Sequence, residues 1–181
     1  MGLLEVRVFG DPVLRQAALE VRDFDDSLAR LAEDMAQTMH GNGGVGLAAN
    51  QVGVLRRLFT YADPGDDGCE PSEGAVVNPV LLDASEESEL SDEGCLSFPG
   101  LFYPVARQLE VVVRHQDLAG EEQETTLRGF GARIWLHEMD HLNGVLFIDH
   151  LARHDRREAM RLMRERDLDP RDIRGVASAI G

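Results

Sequence analysis

The segment from Gly131 to Asn143 constrains this 181-residue chain more than any other. Ile134, Trp135 and Leu136 run directly into His137-Glu138-Met139-Asp140-His141, and Gly144 follows just beyond. Such a pattern predicts a helix. Residues four apart on a helix share a face, so both imidazoles can reach one cation. Glu138 follows the first of them, where its carboxylate can contact a coordinated water instead of the metal. The chain's single tryptophan precedes the motif, which predicts a buried helix. A charged Glu in a buried helix needs a partner. The fold must therefore enclose this helix and bring other polar groups to it. Asp140, on the same helix, is expected to pair with Arg107 of Pro104-Val105-Ala106-Arg107, the alternative being a solvent-facing carboxylate.

Two imidazoles do not hold a catalytic metal well; three protein ligands and one open position are usual. Cys95 is a better third candidate than His40, His115, His150 or His154. It sits in Glu93-Gly94-Cys95-Leu96-Ser97-Phe98-Pro99-Gly100, where glycines and a proline shape an irregular backbone. A buried free cysteine is more often a small hydrophobic residue than a ligand, so the residues alone leave that position open. Cys69, in an acidic Gly/Pro loop, is expected to be a bystander. A third feature is Gly44-Val45-Gly46-Leu47-Ala48-Ala49-Asn50-Gln51. Its small residues allow chain and ligand to approach closely, and the Gln51 amide can donate to an oxyanion.

Around these segments the chain reads as one domain of class α+β. Leu28, Leu31, Ala32, Met35 and Met39 recur at helical spacing over Asp26 to Met39, with Asp25 or Asp26 as the cap and Asn42-Gly43-Gly44 as the stop. Strands are predicted at Arg57 to Tyr61, Ala75 to Leu82, Leu109 to His115 and Glu124 to Leu127, the last two joined by a turn at Asp117 to Gly120. Asp63 to Glu73 reads as a surface loop, and Glu86 to Glu89 as a solvated face or strand edge. A further helix is expected from Asp149 to Asp167. Strands and helices are segregated, which predicts antiparallel or mixed strands packed around the buried metal-binding helix. Residues 1–150 are expected to form the catalytic core and residues 151–181 a C-terminal helix and tail of the same domain.

Composition excludes several alternatives. Thirty-three acidic against eighteen basic residues give a net charge of −15, which disfavours a general binder of DNA or other nucleic acid. All eighteen cations are arginine, so a phosphate-loop lysine and a Schiff-base lysine are absent. No apolar run approaches the roughly 18 residues of a membrane span. The N-terminus does not read as a signal peptide, and two cysteines are too few for a disulfide framework, which points to a cytoplasmic protein.

In this order the three motifs resemble peptide deformylase, whose pattern is Gly-x-Gly-Leu-Ala-Ala-x-Gln, then Glu-Gly-Cys-Leu-Ser, then His-Glu-x-x-Asp-His-Leu in looser form. They stand here as Gly44 to Gln51, Glu93 to Ser97 and His137 to Leu142. Gly10 to Arg15 and Gly144 to Phe147 also resemble that family, so the likeness spans most of residues 5–150. It implies Cys95, His137 and His141 as metal ligands and Glu138 as general acid/base. Gln51 and the Leu96 N–H become oxyanion donors, and Gly44, Val45, Gly46 and Leu96 the substrate-binding residues. It further implies ferrous iron in the cell, replaceable by zinc, nickel or cobalt, and removal of the formyl group from formyl-methionyl nascent peptides with release of formate. Leu136 departs from the family, which often carries Gln there.

Two rival functions share some of these features. A zincin-like peptidase also uses His-Glu-x-x-His, but the isolated Glu-Gly-Cys-Leu-Ser segment argues against it. A non-catalytic peptide-binding homologue would be marked by loss of Glu138, Gln51 or a ligand, and all are present. The last helix carries Arg153, Arg157, Arg161 and Arg164 along one face. Its first reading is a solvated helix with i,i+4 pairs; the alternative is a transient ribosome contact.

Overall fold

A computed structural model describes residues 3–65 and 70–165, which include three helices and seven strands. Helix α1 (Asp26–Gly41) begins where the Asp25 side chain accepts from the N–H groups of Ser27 and Leu28. The Ser27 hydroxyl donates to the same carboxylate at 2.6 Å, and that bond, with the Leu28 N–H, holds the Asp25 carboxyl below its usual range. It ends at Gly43, whose positive φ of 69° lets the Gly44 N–H turn back to the Met39 carbonyl at 2.9 Å.

Five strands form one antiparallel sheet in the order β1 (Gly46–Ala48), β2 (Leu58–Asp63), β3 (Ser72–Ala84), β6 (Glu110–Gln116) and β7 (Glu122–Arg128). The β6–β7 turn is the expected one: Asp117 accepts from Ala119 and Glu121, and Gly120 takes φ 84°. A separate hairpin pairs β4 (Ser88–Gly94) with β5 (Phe102–Gln108).

Side-chain alternation places the His137–His141 motif. Leu58 and its partner Val77 face one side of the sheet, where Leu28, Ala32, Met35 and Met39 of α1 cover them. Their neighbours Phe59 and Val76 point the other way, onto Ile134, Trp135, Met139 and Leu142 of α2 (Gly129–Leu142). Beyond α2 lies a third cluster, in which Phe98, Leu101 and Val105 meet Leu146, Phe147 and Ile148 and the α3 residues Ala159 and Met163. Helix α2 is thus enclosed by the sheet and the hairpin, which is why eleven of its fourteen residues are buried. Helix α3 (Arg153–Glu165) closes the far side.

The expected class is the observed one. Three local readings need correction. Gly46 to Ala48, read as a loop, adds a short edge strand because Leu47 and Ala48 are buried against opposite layers. Strands β4 and β5 escaped detection because six of the first seven apolar-poor hairpin positions, Ser88 to Asp92 included, are exposed or polar, leaving little alternation to read. Ser72 and Glu73, assigned to a loop, begin β3. Cys69 and the tail beyond Glu165 lie outside the described residues.

Candidate metal centre

Cys95 follows the last residue of β4, and its position is set by a tight turn in which the Phe98 N–H donates to the Cys95 carbonyl at 2.8 Å. The Ser97 N–H also faces the Cys95 sulfur, at 3.4 Å. The sulfur stands 3.2 Å from Nε2 of His141, and the rings of His137 and His141 are 4.9 Å apart by their centroids. One ligand atom from each of the three residues lies within 4.8 Å of the others, and all three residues are buried. Helical spacing therefore places the two imidazoles as expected, and the β4–β5 hairpin delivers the thiol from over forty residues away.

Glu93 completes the support. Its fully buried carboxylate faces His137 Nδ1 at 3.0 Å, receives a bidentate pair from Arg107 at 2.7 and 3.0 Å, and accepts from Arg133 at 3.0 Å. An Nδ1–H directed at a carboxylate leaves the other ring nitrogen of His137 free for a cation. Burial alone would raise the Glu93 carboxyl; its bonds to His137 and Arg107 outweigh that and hold it far below the usual range. Burial would likewise lower His137, but its partners Cys95 and Glu93 push it well above the usual value, whereas burial and the charge on His137 keep His141 well below. Arg107 also donates to Asp140 at 2.7 Å, which is the pairing expected of that motif residue, and His150 Nε2 stands 2.7 Å from the same carboxylate.

Glu138 lies against the Gly/Ala segment. A Cβ on Gly46 would collide with Glu138 Oε1, and one on Gly44 would come within 2.8 Å of Leu96 Cδ1. Both glycines are close-approach positions, though what approaches is the chain's own Glu138 and Leu96 and not the ligand that the small residues were expected to admit. Burial pushes the Glu138 carboxyl up to about 7, and its Oε2 is buried without a hydrogen-bond partner among the described residues. Gln51 is held by one end: Oε1 accepts from the Ala48 N–H at 2.8 Å, so Nε2 is turned toward Cys95 Sγ at 3.4 Å and Ser97 Oγ at 3.2 Å. Leu96 packs into the α1-side core, while Val45 lines a surface cleft of about 300 Å³ with Ala62, Asp63, Pro64, Pro71 and Ser72.

Comparison with known proteins settles the affiliation. The family model for polypeptide deformylase matches residues 3–157. The chain belongs to the peptide deformylase family. A peptide deformylase of Thermotoga neapolitana is 50% identical over 149 residues, 82% of this chain and 87% of its own length. Peptide deformylase 1 of Corynebacterium efficiens is 46% identical, covering 92% and 98%. Among solved structures, the Ehrlichia chaffeensis peptide deformylase in complex with actinonin superposes with a TM-score of 0.87 at 35% identity, covering 93% of this chain and 100% of that one. Like the family, this peptide deformylase is a metal-dependent hydrolase.

Sequence reasoning assigned no task to Glu93, Arg133, Asn50 or His150. Arg133 carried a legible signal, a lone cation inside the apolar run Ala132 to Leu136, which buried needs an acidic partner. The remaining histidines fall where they were placed, outside the cluster: His40 beside Glu73, His115 beside Thr125 and His154 beside Asp155. Leu136, the departure from the family pattern, is buried in the layer between α2 and the sheet.

Proposed function

We propose that Cys95, His137 and His141 hold one divalent ion, ferrous iron in the cell, and that the site removes the formyl group from formyl-methionyl peptides. One thiol and two imidazoles form a donor set suited to ferrous iron, zinc, nickel or cobalt, and their buried convergence beside the unpartnered Glu138 oxygen is the observation that carries the reading. When bound, the ion supplies Lewis-acid polarisation and lowers the pKa of water at its open position to about 7.

The side chains divide the remaining work. Glu138, with its carboxyl near neutrality, takes a proton from the attacking water and returns it to the departing amine. Gln51 Nε2 and the Leu96 N–H donate to the oxygen on which charge develops, each such donor being worth about 2.7–4 kcal/mol of barrier. The anchoring of Gln51 Oε1 on Ala48 means its amide need not reorganise as that charge appears. Strand β1 is at the edge of its sheet, so its backbone from Gly46 on can pair with an extended peptide, with Gly44 and Val45 leading into it, while Val45 and Leu96 offer apolar walls for the methionine side chain.

A cytoplasmic setting agrees with the free buried thiol of Cys95. No helix among the described residues is long and apolar enough to cross a membrane. For α3 the solvated reading is favoured: Arg161 pairs with Glu165 at i,i+4, Arg156 with Asp149, and the helix uses Ala159 and Met163 to dock on the core. Ribosome contact would appear as salt-sensitive co-sedimentation that vanishes on deleting the residues after Leu151 while peptide activity survives.

Formate release from a formyl-Met peptide, measured on anaerobically purified wild type and Glu138→Gln with metal quantified in each, tests the reading. The variant should keep its ion and lose about 10²–10⁴-fold in rate. Undiminished activity would remove Glu138 from the chemistry, and full activity with zinc alone would count against iron.

A further inference from the structure

We infer that Asn50 is a positioning residue for the metal centre: it ties the turn bearing Gln51 to the end of α2, and so sets where His141 stands relative to Cys95. The inference rests on the ligand reading proposed above. Asn50 is fully buried in the short 3-10 turn Ala49–Val52, and its Nδ2 donates to the main-chain carbonyl of His141. That carbonyl lies in the last turn of α2, where intrahelical donors run out. The Gly144 N–H serves it at 2.9 Å, and Asn50 adds a side-chain donor. The next residue, Gln51, reaches Cys95 and Ser97 with its own amide.

Two consecutive side chains of one turn thus grip the two metal-binding segments, which are 46 positions apart in the chain. The turn itself is anchored by its main chain: Arg7 N–H donates to the Gln51 carbonyl at 2.7 Å, Gly53 N–H to Asn50 at 3.0 Å and Val54 N–H to Ala49 at 2.9 Å. The Asn50 Oδ1 is buried without a partner among the described residues, so the side chain's hold on α2 lies in its Nδ2 donor bond to the His141 carbonyl. An aspartate of the same shape would set oxygen against oxygen; an alanine would leave the His141 carbonyl to its main-chain donors, with no tie to the Gln51 turn.

The experiment loads wild type, Asn50→Asp, Asn50→Ala, Asn50→Ser and the α1 core variant Leu28→Ala with cobalt. It reads the visible thiolate and ligand-field bands, the rate at which a chelator removes the ion, and the melting temperature. Wild type must first show a thiolate–cobalt band; without one, the ligand reading itself fails. Given that band, Asn50→Asp and Asn50→Ala should shift it and lose cobalt about 10- to 100-fold faster. Asn50→Ser, which keeps a donor, should recover part of the difference. Leu28→Ala should melt earlier with unchanged bands. Bands and release rates equal to wild type in the Asn50 variants, or changes matched by Leu28→Ala, would overturn the inference. If Asp does not fold, Ser against Leu28→Ala decides the same question.

Discussion

Gly46 shows how much a single absent atom can matter. Its Cα passes so near Glu138 that any side chain would displace the carboxylate, so the glycine is required by the proposed acid/base group and not by a turn. Gly46→Ala should keep the metal ligands in place and lower kcat about 10²-fold, the scale expected when a catalytic group moves by about 1 Å. Metal content by mass spectrometry alongside formate release checks this, and an alanine enzyme of normal rate would mean the carboxylate can relocate freely. Gln51 teaches a related lesson. Its usefulness depends on which end of the amide faces Cys95, and that is set by the Ala48 N–H. The residue type was readable in the motif; its orientation was not.

At the level of elements, α2 and the β4–β5 hairpin are joined by charge as well as by packing. Arg133 reaches from α2 to Glu93 and to the carbonyls of Glu89 and Val105, thereby spanning both strands of the hairpin. Arg107 comes from β5 to Glu93 and Asp140, so two arginines stand against two carboxylates in a nearly dry layer. Removing Arg133 leaves Glu93 with Arg107 and His137 but withdraws the donor to the Glu89 and Val105 carbonyls, so Arg133→Met should cost about 1–3 kcal/mol in urea unfolding. A loss below about 1 kcal/mol would show that Glu93 is satisfied without it. The helices were legible because their apolar periodicity is strong. The hairpin was not, because its buried side chains are Glu93, Val105 and Arg107, two of them charged residues that read as surface until their partners are known.

On the scale of the whole molecule, stability is linked to protons and to the ion. Burial lowers the pKa of His115, which stands on β6 with its ring against Trp135 at 5.1 Å and Nε2 3.0 Å from Thr125 Oγ1, against weaker opposing pulls from Gln116 and Asp117. Its unfolded value is about 6.5, so the contribution is fully present above that pH and is lost as pH falls through the lower folded value. His115→Gln should therefore flatten the fall in stability below about pH 6.5, measured as the difference between the two proteins' denaturation curves; parallel curves would assign the acid sensitivity elsewhere. An ion that binds only the folded state adds about 2.7 kcal/mol at a free concentration 100 times its Kd. Chelation should then lower Tm by roughly 5–10 °C for a chain this size, and calorimetry before and after metal removal measures it.

The sequence by itself determined the helix that carries His137, Glu138 and His141, because a 3.6-residue period places them without reference to anything else, and its motifs determined the family. It offered Arg107 as a partner for Asp140 against a solvent-facing alternative, and the structure decided for the pair. Only the tertiary structure decided that Cys95 meets those imidazoles, that Glu93 orients one of them, and that Asn50 and Gln51 bracket the cluster. Those relations join residues dozens of positions apart, and no local period encodes them; they follow from how a sheet, a hairpin and a helix pack so that each buried charge and amide finds a partner.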